Sequence, residues 1–535
     1  MVSPPRPVSR RDFLRSVGLT GGAGALFATM GALGLAPTAA AAAPEFRAPS
    51  PSDFTLTGRS AKRVVILGGG IAGLTTAYEL GKAGYNCTIL EARGRTGGRN
   101  FTVRGGTEQT DLDGYTQRAK FSEGIYMNAG PARIAQWMVT LDYCRELGVP
   151  VEVFTNQNAS AFIYNENSGM TPGNAVRYRT AKADVYGYVS ELLAKATDQG
   201  ALDTMLSADD KARLLSFLSS FGAIGNKAAD YAYTGTEHRG FVTDPGAGND
   251  AGTILAPPPA LSDVFASNVG RYFSFEFGYD QAMLMFQPIG GMDQIPRALT
   301  KAIGEHRVQL GAVVTGVTNS DTGVEVTYTQ DGKDRQLKAD YCVAAMPPHL
   351  MARIPHNLGT DVNTALASFR VTNVGKIGLE YRSRWWETDY KIFGGITETD
   401  MDLQHIWYPS YGHLGQRGLI IGYYNTGNAA NVYSALSPTD REARAVAQGV
   451  KIHGDKYRTE LDHSFSMAWH RTPYLEGGWT SPPYTTAGYQ LLLQPAGRVY
   501  FAGDWLSHAV AWQHGAFVSA RATVTALHSR VMSGG

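Results

Sequence analysis

The clearest hydrophobic pattern near the start is Arg63-Val64-Val65-Ile66-Leu67, an unbroken apolar run rich in β-branched residues. Such a run predicts a parallel strand buried on both faces. Residues Ile71 to Lys82 then repeat with helical period and stop at Gly84, and Tyr85 to Leu90 reads as a second strand. Together they predict a βαβ opening. Farther on, Val324-Glu325-Val326-Thr327-Tyr328 alternates and meets a turn at Gln330-Asp331-Gly332-Lys333, which predicts a hairpin. Val499 to Ala502 is a short late strand, followed by a helix running to about Met532. Residues 181–218 differ in kind: Val185, Tyr188, Val189, Leu192 and Leu193 follow helical spacing. Ser207-Ala208-Asp209-Asp210 reads as a second helix start ahead of Leu214, Leu215 and Leu218. This stretch is predicted to be a helical insertion. Residues 50–61 read as a polar linker, Asp244 to Pro259 as a Pro- and Gly-rich loop, and no internal repeat is evident.

Composition narrows the classes. At about 150 residues per domain, 535 residues suggest two to four domains. A hydrophobic fraction of 43% excludes wholesale disorder. A net charge of +1 gives no basic field for nucleic acid. Cys87, Cys144 and Cys342 are too few and too scattered for a disulfide framework or a zinc site, and allow one bridge at most. The first 43 residues read as an address. Ser9-Arg10-Arg11-Asp12-Phe13-Leu14 places a twin arginine before an uncharged stretch that ends in Ala39 to Ala43. The stretch is long enough for a membrane anchor, but its glycines and alanines insert weakly. The expectation is a twin-arginine signal peptide over residues 1–43, export by the twin-arginine machinery, and no stable membrane anchor. Cleavage would take the net charge from +1 to −2.

Gly68-Gly69-Gly70-Ile71-Ala72-Gly73 supplies G-x-G-x-x-G between the predicted strand and helix. The first glycine permits the tight turn, the second the approach of a pyrophosphate, and the third, Gly73, close helix–strand packing. Glu91 ends the second strand, 18 residues past Gly73, where its carboxylate can accept from ribose hydroxyls and would repel a 2′-phosphate. An ordinary Gly-rich turn is the structural alternative.

The residues that follow distinguish FAD from NAD. Glu91-Ala92-Arg93-Gly94-Arg95-Thr96-Gly97-Gly98-Arg99 resembles the E-A-R-x-R-x-G-G-R run of the flavin amine oxidase superfamily. Gly497 to Asp504 resembles its closing flavin motif, and Gly290-Gly291-Met292 and Val313-Val314 fit its middle segments. Tyr126-Met127-Asn128-Ala129-Gly130-Pro131-Ala132-Arg133-Ile134 resembles the substrate-arginine segment of the L-amino-acid oxidase branch, as in exported bacterial (Rhodococcus-type) members; Leu147 to Pro150 and Asn156 to Ala159 agree.

The resemblance spans essentially the whole chain after residue 43. It implies an α/β fold: a Rossmann-like FAD-binding domain assembled from residues 55–110, 288–350 and 470–535, an α+β substrate domain on a mixed sheet from 111–160, 236–287 and 351–469, and a helical domain over 161–235. It carries flavin contacts onto Gly68, Gly70, Ile71, Ala72, Gly73, Glu91, Ala92, Arg93, Arg99, Gly130, Pro131, Ala132, Arg133, Val313, Gly503, Asp504, Ala511 and Trp512. Arg133 would fork onto a substrate carboxylate, with a protein acid as the alternative partner. Tyr423 would give the second carboxylate contact, or be a core tyrosine. Lys376, alone in an apolar strand, would hold a water near the flavin, or snorkel from a strand edge. Trp479 and Trp512 would wall the amine, or be ordinary core or surface residues. No cysteine stands beside Trp479, so FAD is expected to be noncovalent. Some relatives carry a substrate-side histidine where this chain has Phe273-Ser274-Phe275-Glu276-Phe277. His508 and His514 lack metal-ligand company, and no metal is expected. The implied activity is oxidative deamination of L-amino acids with oxygen, giving a 2-oxo acid, ammonia and hydrogen peroxide, by a homodimer. A primary-amine or polyamine oxidase and a tryptophan 2-monooxygenase-like enzyme are the alternatives.

Overall fold

The computed structural model describes residues 54–167, 173–255, 257–282 and 284–534. Residues 1–43, expected to be a signal peptide, lie outside the described residues. The described chain forms two compact units, one of residues 167–274 and one of 54–166 with 275–534. Residues 236–274 thus cluster with the helices of 167–235.

In the larger unit a five-stranded sheet runs in the order Val308–Leu310, Asn86–Glu91, Arg63–Leu67, Tyr341–Ala344, Val499–Phe501. All its pairings are parallel. Alternate residues feed two cores: Val64, Ile66, Ile89 and Val343 face one, and Val65, Leu67, Leu90 and Phe501 the other. Both faces are buried, which explains the unbroken apolar runs. The helix Ile71–Lys82 packs against the helix Gln513–Met532, so the first and last segments close one layer. The sheet is therefore Rossmann-like and assembled from three separated pieces. The hairpin is present as Val324–Gln330 and Lys333–Ala339, with Asp331 and Gly332 both left-handed at the turn. All three cysteines are free and buried.

A second, mixed sheet orders Leu461–Ala468, Val374–Tyr381, Gly418–Thr426, His405–Trp407, Ile396–Thr399 and Phe162–Tyr164. The strand Val374–Tyr381 is internal and buried along its whole length. Lys376 is 3% exposed, so it does not snorkel from an edge.

The smaller unit holds the helices Tyr178–Asp198 and Ala208–Gly222, the second capped by Ser207 as its sequence predicts. The expected apolar stripe, however, turns outward: Val189, Leu192 and Leu193 are exposed. The inward face is Ala181, Asp184, Gly187, Ser190 and Ala194. The reason is polar. Arg239 Nε donates to Asp184 Oδ1 at 2.6 Å, and the Tyr233 hydroxyl donates to the same oxygen at 2.9 Å. Gly187 admits the Tyr233 ring, which would lie 2.3 Å from a Cβ there. Residues 244–259, expected to be loop, also contain the strand Thr253–Ile254 paired to Phe241–Thr243.

Arg239→Ala is expected to lower unfolding free energy by about 3–5 kcal/mol, because it strips the Asp184 carboxylate of its buried cation. Urea unfolding followed by circular dichroism measures it; a loss below about 1 kcal/mol would mean the pair behaves as a surface ion pair.

Candidate active site

One cavity of about 680 Å³ receives both sheets. Its first wall is built from backbone. The strand Arg63–Leu67 runs into Gly68, whose φ of +104° favours glycine. Gly70 then caps the helix Ile71–Lys82, which has no side-chain cap and no acid in its first turn, so its leading amides are left to an anion. Gly68, Gly70, Ile71 and Ala72 line the cavity. Gly73 does not; a Cβ there would lie 2.0 Å from the Gly68 carbonyl oxygen, so its role is close packing.

Glu91, at the end of its strand, braces this loop. Its Oε2 accepts from Gly69 N–H at 2.7 Å and its Oε1 from Arg93 N–H at 2.8 Å. Burial raises its carboxyl above the ordinary value, and the two amides and nearby arginines pull the other way. Ala92, Arg93 and Arg99 line the same wall, as do Val313, Gly503, Asp504 and Ala511. Arg99 Nη1 donates to Gly478 O at 2.8 Å and Nη2 pairs with Asp504, while Asp504 Oδ2 accepts from Ala511 N–H at 2.9 Å. The first and last segments of the chain are thereby clasped at the cavity.

The opposite wall is one face of the mixed sheet. Val374 and Lys376, Tyr424 and Thr426, His405 and Trp407, and Ile396 and Glu398 all line the cavity, two per strand. Spacing of two puts each pair on one side. Register makes a row: Lys376 lies opposite Tyr424, Tyr424 opposite His405, and His405 opposite Glu398. Tyr423 is therefore on the other face, buried against the Tyr433 ring at 4.2 Å, and does not reach the cavity. This corrects the expected assignment of Tyr423, because a bulge at Gly422 sets which of the two tyrosines faces Lys376.

Lys376 Nζ donates to Gly130 O at 2.5 Å and lies 4.6 Å from the Tyr424 ring centre and 5.1 Å from that of Trp407. Burial, and next the charge of Arg133, pull its pKa from 10.5 down to about 7. Gly130 can carry no side chain, since a Cβ would sit 1.9 Å from Arg99 O. Gly130, Pro131, Ala132 and Arg133 all line the cavity. Arg133 is 8% exposed, with its guanidinium 4.4 Å from the Trp407 ring centre and 5.8 Å from that of Trp512. Its Nη2 donates to Gln281 Oε1 at 3.1 Å. Burial draws its pKa down to about 10, against the pull of Tyr424, Asp280 and Glu398. Trp479 and Trp512 both line the cavity, and Trp512 Nε1 donates to Asp280 Oδ2 at 2.8 Å.

Sequence reading therefore missed Tyr424, Trp407, His405, Glu398, Asp280 and Gln281. Asp280 and Gln281 follow the segment that lacks a histidine. His508 stacks on Tyr484, and His514 Nδ1 accepts from Val139 N–H. Among the described residues no group of histidine, cysteine or acid side chains could hold a metal.

The profile of the flavin containing amine oxidoreductase family matches residues 71–528. A putative L-amino-acid oxidase, YobN, of Bacillus subtilis (strain 168) is 25% identical over 472 residues, covering 86% of this chain and 93% of that protein. An L-amino-acid oxidase of Protobothrops flavoviridis is 27% identical over 464 residues, covering 84% and 86%. Among solved structures, cyclohexylamine oxidase from Brevibacterium oxydans IH-35A superposes with a TM-score of 0.59 at 18% identity, covering 88% of this chain and all of that one. Putrescine oxidase bound to putrescine gives 0.56 at 19%, covering 89% and 100%. At these identities the structural likeness speaks for the fold.

The first wall fits a flavin dinucleotide: unprotected helix amides, a buried carboxylate at the strand end, arginines, and glycines that keep the surface clear. Gly73→Ala is expected to weaken flavin retention by about ten-fold or more, through overpacking of roughly 1–3 kcal/mol. The flavin-to-protein absorbance ratio after gel filtration measures it. Lys376 yields a second prediction. Between about pH 7 and 10.5 the unfolded chain binds more protons at this lysine than the folded chain, so its contribution to stability rises with pH across that window. The stability of wild type relative to Lys376→Met should therefore increase from about pH 7 to about pH 9.5 in urea titrations; a difference that ignores pH would contradict the depressed pKa.

Proposed function

The chain belongs to the flavin-containing amine oxidoreductase family, and from that premise we propose that it oxidises L-amino acids at the α-amine. FAD is held noncovalently, oxygen is the acceptor, and a 2-oxo acid, ammonia and hydrogen peroxide are released. The observation that carries the reading is Arg133, a buried guanidinium on the cavity wall beside Lys376. A simple amine brings no anion to meet it, whereas an amino acid brings a carboxylate that the planar fork can grip. Relatives named L-amino-acid oxidase lend support.

FAD, when bound, supplies the hydride acceptor and the passage of electrons to oxygen. The amides at Gly70 to Ala72 would hold its diphosphate, Glu91 its ribose, and the Arg99–Asp504 clasp the neighbouring region. The Gly477-Gly478-Trp479-Thr480 segment offers no cysteine for a covalent link. Arg133 fixes the carboxylate, and the Tyr424 hydroxyl takes the second contact proposed for this end of the site. Trp407, Trp479 and Trp512 exclude water and limit how the α-carbon can lie. The amine must lose a proton before its lone pair can support the developing imine; solvent or Lys376 can receive it, since near pH 7 a large share of Lys376 Nζ is neutral. Lys376 would also hold a water beside the reacting centre.

Two cavity acids, Asp280 and Glu398, keep a second reading open. An amine or polyamine oxidase would use them to hold a cationic substrate. A tryptophan 2-monooxygenase-like enzyme differs in its product, an amide.

For the part of the chain before the folded units, we propose twin-arginine export with cleavage near residue 43, checked by the mass of the secreted protein. The outward stripe of Val189, Leu192 and Leu193 supports a homodimer through the helical unit, checked by sedimentation.

The decisive comparison is kcat/KM for L-Phe and phenethylamine. A substrate carboxylate adds charge-assisted hydrogen bonds to Arg133 that phenethylamine cannot make, so L-Phe is expected to win by about 100-fold or more. Arg133→Met should collapse that ratio, and equal values in wild type would refute the assignment. In stopped flow, Lys376→Met should slow flavin reoxidation by oxygen more than flavin reduction; an unaltered oxidative half-reaction would remove Lys376 from that role.

A further inference from the structure

Resting on the amino-acid reading, we propose that Glu398 sets the substrate class: it receives the cationic end of a basic side chain, so that L-arginine- and L-lysine-like amino acids are the preferred substrates. Glu398 is 7% exposed, yet it lines the cavity. It ends the polar row Lys376, Tyr424, His405, Glu398 across four neighbouring strands. Its Oε2 is paired with His405 Nδ1 at 2.6 Å, which holds the side chain in one orientation. Arg133 rests on Trp407, and the Glu398 strand is the next one over, a step of about 4.8 Å. A carboxylate bound at Arg133 therefore lies within a lysine- or arginine-length side chain of Glu398.

Charge balance in the loaded site argues the same way. The substrate carboxylate neutralises Arg133, and the reacting amine must be neutral. Asp280 is engaged by Trp512 Nε1. Glu398, whose charge is already felt at Arg133, would then face the substrate carboxylate as a like charge. An apolar side chain leaves that repulsion and brings the Glu398 carboxylate no partner beyond His405. A guanidinium or ammonium group between the two carboxylates removes both penalties. It also gives a role to a buried carboxylate that the strand Ile396–Thr399 presents to the cavity.

The test uses the flavin-loaded enzyme and peroxide release, with kcat/KM measured for L-Arg, L-Lys, L-Leu and L-Phe in wild type, Glu398→Gln and Glu398→Asp. Wild type is expected to favour the basic substrates over L-Leu by about 30-fold or more. Glu398→Gln should cut that ratio at least about ten-fold, chiefly through KM for the basic substrates, and Glu398→Asp should retain a preference of the same sign. A wild-type ratio near or below one overturns the proposal while leaving the amino-acid reading intact, and this arm stands even if the variants yield no folded protein. A Glu398→Gln variant that lowers all four substrates equally also overturns it. Failure to oxidise any L-amino acid removes the parent reading and the proposal together.

Discussion

Two cations buried in one cavity wall govern this molecule. Arg133 and Lys376 are both removed from water, and the charge of Arg133 makes Lys376 harder still to charge. Backbone carbonyls, aromatic faces and two acids offset that cost: Gly130 O for Lys376, Trp407 and Trp512 for Arg133, and Asp280 and Glu398 at longer range. Lysine yields more readily than guanidinium, so Lys376 sits near neutrality while Arg133 stays charged. One wall therefore carries a permanent positive fork beside a lysine whose pKa burial brings down to about 7.

The facing wall obeys a different rule. There the chain presents backbone rather than side chains, through Gly68, Gly70 and the unprotected start of a helix. Glu91 spends both carboxylate oxygens on loop amides, so the loop is braced before any ligand arrives. The Arg99–Asp504 pair links residues 405 positions apart and fastens this wall to the last strand and helix. Gly130 joins the two walls: its lack of a side chain lets it lie against Arg99 O while its own carbonyl holds Lys376.

The tyrosine pair illustrates how much was legible in advance. Tyr423 and Tyr424 are equally apolar in setting, and a strand alternates its faces. Which one meets Lys376 depends on a bulge at Gly422, a property of pairing between two strands far apart in sequence. The helix Tyr178–Asp198 teaches a related lesson. Its period was readable, but its buried side was set by the Asp184–Arg239–Tyr233 cluster rather than by its valines and leucines. Asp280 and Gln281 carry no local signal, since their contacts with Trp512 and Arg133 join segments well over a hundred residues apart.

Local chemistry was enough for the dinucleotide side. A buried strand, a glycine turn, a helix start and an acid at the next strand end are contiguous, and each follows from short-range sterics and hydrogen bonding. Arg133 and Lys376 also stood out along the chain, because a cation in an apolar setting is costly wherever it folds. The facing, mixed-sheet wall needed the folded sheet. It is a row drawn from four strands, so its composition depends on register, and register is settled by long-range pairing and packing that no single segment contains.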